Sequence, residues 1–258
     1  MYGHTFPRPN TKFSISVIHD SRSKWTLGKG WCRTINPSVI LTSYQDWYKD
    51  SVFLRVNVDS IAANLIRGKE NEPGNFHSGA KTENGILTVR PVAFITPEID
   101  DDPRHQLKRE VFTFYNLSFQ IEAIFSDANG VEIWKARYSY IAPDDKPLFG
   151  KESLASNDGK LLKRLTEQGF GKCIDALFID LEGPSATWRN DSNLPEDLKA
   201  MPKGSPFQWP EGTQLLQETN EDWVVRQPLT IFRKPTGGSV IAIISKDKNR
   251  LLPHRIGK

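Results

Sequence analysis

Cysteine and histidine are scarce in this chain, and each scarcity removes a class of chemistry. Its 258 residues include two cysteines, Cys32 and Cys173, and five histidines. Neither cysteine has a second Cys or a His at ligand spacing, so a thiolate metal site is not expected. The two thiols either close one disulfide in an oxidising compartment or stay reduced and buried. Cys173 falls on the apolar side of an expected helix, which favours the buried thiol. His4, His19, His77, His105 and His254 lie far apart in sequence, and no H-E-x-x-H pattern is present. The one local His–acid pair, His19-Asp20, ends a strand and reads as a turn cap rather than a catalytic dyad. A G-x-S-x-G elbow is also missing. Gly28-Lys29-Gly30 lacks both the spacing and the Lys-Ser/Thr ending of a phosphate loop. No cofactor, metal or catalytic residue is expected.

Long apolar runs are absent too. No stretch approaches the roughly 18 residues that a membrane-crossing helix needs. Residues 1–12, rich in Pro, Gly and polar residues, read as a flexible lead-in without the apolar core of a signal peptide. The chain is therefore expected either to be cytosolic or to be a mature form whose signal has been removed. Charge of one sign is likewise lacking: 34 basic residues face 31 acidic ones, for a net +3. The densest basic run, Lys246-Asp247-Lys248-Asn249-Arg250, is interrupted, so a solvated surface is the better reading and no nucleic-acid partner is expected. Acids gather at Glu98 to Asp102 and at Asp144-Asp145. Both groups sit in Pro-containing loops without the alternating ligands of a calcium loop.

What is present is a β-rich globular pattern, with 38% hydrophobic and 25% charged residues. Alternation predicts a strand at Phe13–Ile18. Trp25–Cys32 reads as short extended pieces around a turn, and Val39–Leu41 and Val52–Val58 as further strands. Asp59–Gly68 reads as a helix capped by Asp59 or Ser60 and stopped by Gly68. Residues 69–84 and 100–105 read as loops. Between them Ile86–Ile95 is a strand in which Pro91 marks an edge or a bulge.

The most specific pattern follows. Val111–Phe125 and Val131–Tyr140 are strands joined by Asp127-Ala128-Asn129-Gly130, an Asn-Gly hairpin signal. Ser156-Asn157-Asp158 offers N-caps for a helix whose apolar side is Leu161, Leu162, Leu165, Gly169, Cys173, Ile174 and Leu177. Its two internal glycines, Gly169 and Gly171, suggest a helix lying close to the sheet. Residues 185–210 read as a partly ordered linker. Thr213–Leu216, Trp223–Val225, Leu229–Phe232 and Val240–Ile244 are short strands, with turns at Asn220–Asp222 and Thr236–Ser239. The expected fold is α+β: an antiparallel sheet with one main amphipathic helix packed on it, plus a small C-terminal β-segment. The expected division is a lead-in at 1–12, a main domain at 13–183, a linker at 184–211 and a β-module at 212–258.

Seven tryptophans stand out. Trp25, Trp31 and Trp47 near loops, and Trp134 with Tyr138 on one strand face, are the candidate binding residues, since exposed aromatic rings favour interfaces. For Trp134 and Tyr138, core or interface packing explains the pattern better than a ligand platform. The run from Phe119 to Tyr138, "FQIEAIFSDANGVEIWKARY", resembles bacterial envelope lipoproteins of the transport-auxiliary and assembly type. In those a strand ends in an acid–small–Asn/Asp–Gly turn, continues as x-Ile/Leu-Trp and precedes a helix with paired leucines. Ser16-Val17-Ile18-His19-Asp20-Ser21-Arg22 is similar to their strand ending in Asp-x-Arg. The chain departs from them in having no lipobox Cys and in its added C-terminal β-segment.

The resemblance implies a periplasm-facing, non-enzymatic accessory of the cell envelope or outer membrane. Such a protein would act in assembly with a protein partner and be anchored, if at all, through a removed or missing N-terminus. The alternatives are a glycan-active hydrolase assembled from distant carboxylates such as Asp20, Glu98 or Asp100, and a secreted or phage structural module.

Overall fold

Period-two alternation builds the centre of the molecule. In a computed structural model the described residues are 13–18, 26–27, 56–71, 85–98, 114–142, 146–147, 153–154, 156–183, 189–190, 194–199, 212–231 and 234–246. The hairpin expected around Asn129-Gly130 is there, as β4 (Phe114–Asp127) and β5 (Glu132–Ile141). Asp127 Oδ1 accepts from the backbone N–H groups of Asn129 and Val131, each at 2.9 Å, and Gly130 takes φ +78°. Local chemistry at the tip thus fixes the register of a long pair.

Before the hairpin come β1 (Ser14–Val17), β2 (Thr26–Leu27), α1 (Val58–Glu70) and β3 (Gly85–Glu98). After it come β6 (Lys146–Pro147), α2 (Ser156–Glu182), β7 (Arg189–Asn190), α3 (Glu196–Lys199), β8 (Gln214–Glu218), β9 (Asp222–Ile231) and β10 (Lys234–Ser245). The strands join in one sheet ordered β1-β3-β4-β5-β10-β9-β8-β7, with β2 beside β3 and β6 beside β4. The architecture is α+β, with α2 packed against the sheet.

Several expectations change in detail. The sheet is mixed rather than purely antiparallel, because β1 and β2 run parallel to β3 and β10 runs parallel to β5. The strands expected in a separate module at 212–258 continue the main sheet, and β10 seats Ile241 beside Tyr138 and Ile243 beside Tyr140. The segment expected as a linker contributes β7, which pairs with β8, and α3. Thr236–Ser239 is not a turn. It lies inside β10, where the register with β9 shifts between Pro235 and Ser239 and Gly238 takes φ +92°. Two glycines mark a bulge as readily as a turn.

Helix α1 starts at Val58, inside the segment read as a strand, and its cap is Asn57, whose side chain accepts from Ser60 N at 2.9 Å. It runs past Gly68 to Glu70. Burial of Ala62 and Ile66 and an ion pair between Lys69 and Asp175 at 2.9 Å offset a glycine penalty of about 1 kcal/mol. Pro91 sits within β3 and costs no ladder bond. Ile18 N donates to Val89 O at 2.8 Å, so Val89 and, two residues on, Pro91 turn their backbone groups toward β1 and β2. Pro91 falls between the stretches those two strands pair. The strand expectations at 39–41 and 52–55, and most of Trp25–Cys32, fall outside the described residues.

Both long helices cover the same face of the sheet. The core between them holds Leu87 and Val89 of β3, Phe119, Ile121, Ala123 and Phe125 of β4, Trp134 and Tyr138 of β5, and Leu162, Phe170, Ile174 and Leu177 of α2. On the opposite face Leu194 and Leu198 pack over Leu215, Trp223 and Val225 in a second, smaller core. Ser156 does not cap α2. Its hydroxyl donates back to Ser153 O at 2.7 Å, and Asn157, Asp158 and Gly159 form a left-handed turn with φ of 49°, 57° and 79°. Left-handed backbone costs about 1–2 kcal/mol for a residue with a Cβ, against about 0.5–1 kcal/mol of extra chain entropy for glycine. The Asn157→Gly/Asp158→Gly variant is therefore expected to gain about 1 kcal/mol, read as a higher urea midpoint at unchanged slope.

Candidate functional site

Charged side chains are almost never fully buried unless paired, so those between α2 and the sheet define the place to examine. Asp180 is 0% exposed and Arg226 is 3% exposed, on α2 and β9 respectively. Asp180 Oδ1 accepts from Arg226 Nη2, and Asp180 Oδ2 accepts from the Tyr138 hydroxyl at 2.8 Å. Arg226 Nη1 donates to Gln214 Oε1 at 3.2 Å. Register explains the convergence, since Tyr138 lies opposite Ile241 and Ile241 opposite Arg226, one row across β5, β10 and β9.

Two turns earlier on α2, Lys172 pairs with Asp222 and, at 3.2 Å, with Glu221. It also lies over the Tyr140 ring, 5.6 Å from its centre. The two pairs match in spacing. Eight residues of helix rise about 12 Å, and four residues of strand about 13 Å, so Lys172 and Asp180 fall beside Asp222 and Arg226. Their signs are opposed: the helix offers a cation then an anion, and the strand an anion then a cation.

Burial drives the titration of this layer. It pushes the Tyr138 hydroxyl far up, the positive Arg226 drawing it back only in part. Burial likewise pushes Tyr140 up to about 12; Lys172 opposes this, and Asp222, Cys173 and Glu221 add to it. For Lys172 burial pulls down, but hydrogen bonding and charge from Asp222 more than offset it, and its net shift is upward. Cys173 is fully buried, donates to Phe119 O at 3.5 Å and is pushed up by burial, which makes it a structural thiol.

An unfolded tyrosine ionises near pH 10, whereas Tyr140 keeps its proton to about 12. Unfolding then releases a proton, so stability is fully present below pH 10 and falls as pH rises from about 10 to 12. The upward shift of Lys172 acts in the same direction. Tyr140→Phe is expected to flatten that decline in denaturant titrations run across the window.

Chemically this layer is a clamp. Both oxygens of Asp180 are occupied, and Tyr138 spends its proton on Asp180. Among the described residues no group of three or more His, Cys, Asp or Glu is placed to hold a metal ion.

A second candidate is the outer face of β3, β4 and β5. Register sets its side chains in rows: Val92, Gln120 and Ser139; Arg90, Glu122 and Arg137; Thr88, Ile124 and Lys135. Arg90 is exposed and the other eight are half-buried. At the hairpin end stand the two large exposed apolar side chains among the described residues, Ile86 at 49% and Val131 at 56%.

No family model and no curated protein matches this chain.

Of the residues singled out in the sequence, Trp134 and Tyr138 are brought together, but in the core. Both are 0% exposed and face the helices, so neither ring is open to a partner. They share the period-two face that carries Ala136, and helix α2 closes over that face. Trp25, Trp31 and Trp47 lie outside the described residues, as do Asp20 and Asp100. The Asp180–Arg226 pair escapes the reading of motifs, yet it has a signal. Asp180 stands three residues after Leu177 on an apolar stripe, and Arg226 alternates with Val225 in a strand of apolar residues. A charge at a core position calls for a buried partner.

Proposed function

We propose that the protein is a non-enzymatic binding or assembly component of the bacterial cell envelope, facing the periplasm and engaging a protein partner through the outer face of β3–β5. One observation carries the binding reading: the outer face carries the exposed Ile86 in its row with Ser126 and Glu132, and the exposed Val131 stands beside it at the hydrogen-bonded turn between β4 and β5. Large exposed apolar groups gathered beside polar ones favour a protein contact. The helix-facing side fits the same reading, because Asp180, Arg226 and Tyr138 are engaged with one another in a fold-determining cluster. The envelope assignment rests on the resemblance of the Phe119–Tyr138 hairpin to envelope lipoproteins.

The test is cross-linking of the full chain in its native cells, followed by membrane fractionation. The expected result is recovery with the envelope in a complex heavier than the 29.3 kDa chain, and release of the chain from that complex by Ile86→Asp/Val131→Asp. Recovery of the monomer in the soluble cytoplasmic fraction would overturn the assignment.

A further inference from the structure

The middle of the outer face is short of negative charge. Arg90 on β3, Glu122 on β4 and Arg137 on β5 lie directly opposite one another. Glu122 accepts from Arg137 Nη2 at 2.8 Å and has Arg90 only at 3.9 Å. Lys135, in the next row on the same face of β5, makes no ion pair among the described residues. Two arginines thus share one carboxylate, and the lysine beside them has none among the described residues. Arg137 Nε, moreover, is buried and makes no hydrogen bond there. A buried N–H without a partner is costly and rare, and guanidinium groups favour planar, two-oxygen acceptors.

Building on the reading of this face as a partner surface, we propose that its partner presents an acidic peptide segment whose carboxylates pair with Arg90, Arg137 and Lys135. Arg137 keeps Nη2 on Glu122, and its part-exposed guanidinium adds to the positive charge an incoming carboxylate meets, while its Nε stays closed to solvent. Val92 and Ile124 flank the charged row on either side. A segment with acids separated by apolar residues matches that order, placing apolar side chains over Val92 and Ile124. A nucleic-acid or lipid surface matches it less well. Glu122 stands at the centre of the cations, and a continuous array of phosphates would set a like charge over it, whereas discrete carboxylates leave it clear.

The experiment titrates the full-length protein at low and at raised salt with a synthetic peptide of alternating Glu and Val. Vesicles of phosphatidylglycerol and a single-stranded oligonucleotide serve as comparators. Saturable peptide binding that weakens with salt is expected, with affinity lowered about tenfold by Arg137→Gln and again by Arg90→Gln. Urea midpoints of both variants serve to show that the fold is kept. Binding that ignores both substitutions, or tighter binding of the vesicles or oligonucleotide than of the peptide, would overturn the proposal. The two readings separate cleanly. If Ile86→Asp/Val131→Asp still releases the native complex while the peptide fails to bind, the face remains an interface and only its acidic partner is wrong. If neither responds, both fall.

Discussion

Asp180→Ala is expected to lower the unfolding free energy by about 3–5 kcal/mol, the cost of leaving a buried charge without its counterion. Arg226 cannot shed its proton to escape, because guanidinium groups stay charged in proteins, although burial draws its affinity for that proton down. Tyr138 would lose its acceptor at the same stroke, adding an unsatisfied hydroxyl in the core. Urea unfolding followed by Trp fluorescence measures the loss as a lower midpoint with unchanged slope.

The informative companion is Asp180→Leu/Arg226→Met, which removes both charges and keeps most of the volume. It should recover much of the loss, since replacing a whole buried pair is often neutral. If the double variant is as unstable as the single one, the pair is not acting as a pair. Exchange of the two charges, Asp180→Arg/Arg226→Asp, would set a second cation on the helix with Lys172 and a second anion on the strand with Asp222. That variant should fold less well than the apolar one, because the opposed signs that align α2 with β9 are gone.

The second large effect is at Gly169. A Cβ built there would overlap the ring of Phe119, which is fully buried and stacked edge-on against Phe170 at 5.3 Å. Gly169→Ala should therefore cost about 3 kcal/mol by overpacking, against a gain of about 1 kcal/mol in helix propensity. Gly171, two residues on, has nothing within 4 Å of its would-be Cβ. Gly171→Ala should stabilise by about 0.5–1 kcal/mol, with only helix propensity in play. Opposite signs in thermal denaturation would establish that α2 is drawn against β4 by one glycine and not by the pair.

Local patterns bring the hairpin and the helix into view. Asn129-Gly130 fixes its own turn, and the apolar stripe from Leu162 to Leu177 fixes the buried side of α2, because both signals live within a few residues. The cap of α1 escapes local reading, since Asn57, Asp59 and Ser60 all cap well and only the path of the chain selects Asn57. The placement of β10 is beyond it as well. Nothing within Val240–Ile244 distinguishes a strand that pairs with β9 alone from one that also lies parallel to β5. Trp134 and Tyr138 are ambiguous for a related reason: alternation says which side chains share a face, but not which face a helix will cover. The candidate interface is legible only as half of an alternating pattern, as Arg90, Glu122 and Arg137 come from three strands and meet through register.

The parallel pairing of β10 with β5 has a consequence for synthesis. Ala136 meets Ser239, 103 residues further along (239 minus 136). At about 5–20 residues per second, the ribosome delivers β10 about 5–20 s after β5 has been made. For that interval β5 has β4 on one side and nothing from β10 on the other. A nascent edge of this kind invites pairing with another chain, and the alternating lysine and arginine of β5, Lys135 and Arg137, are the residues that discourage it until the last strand arrives.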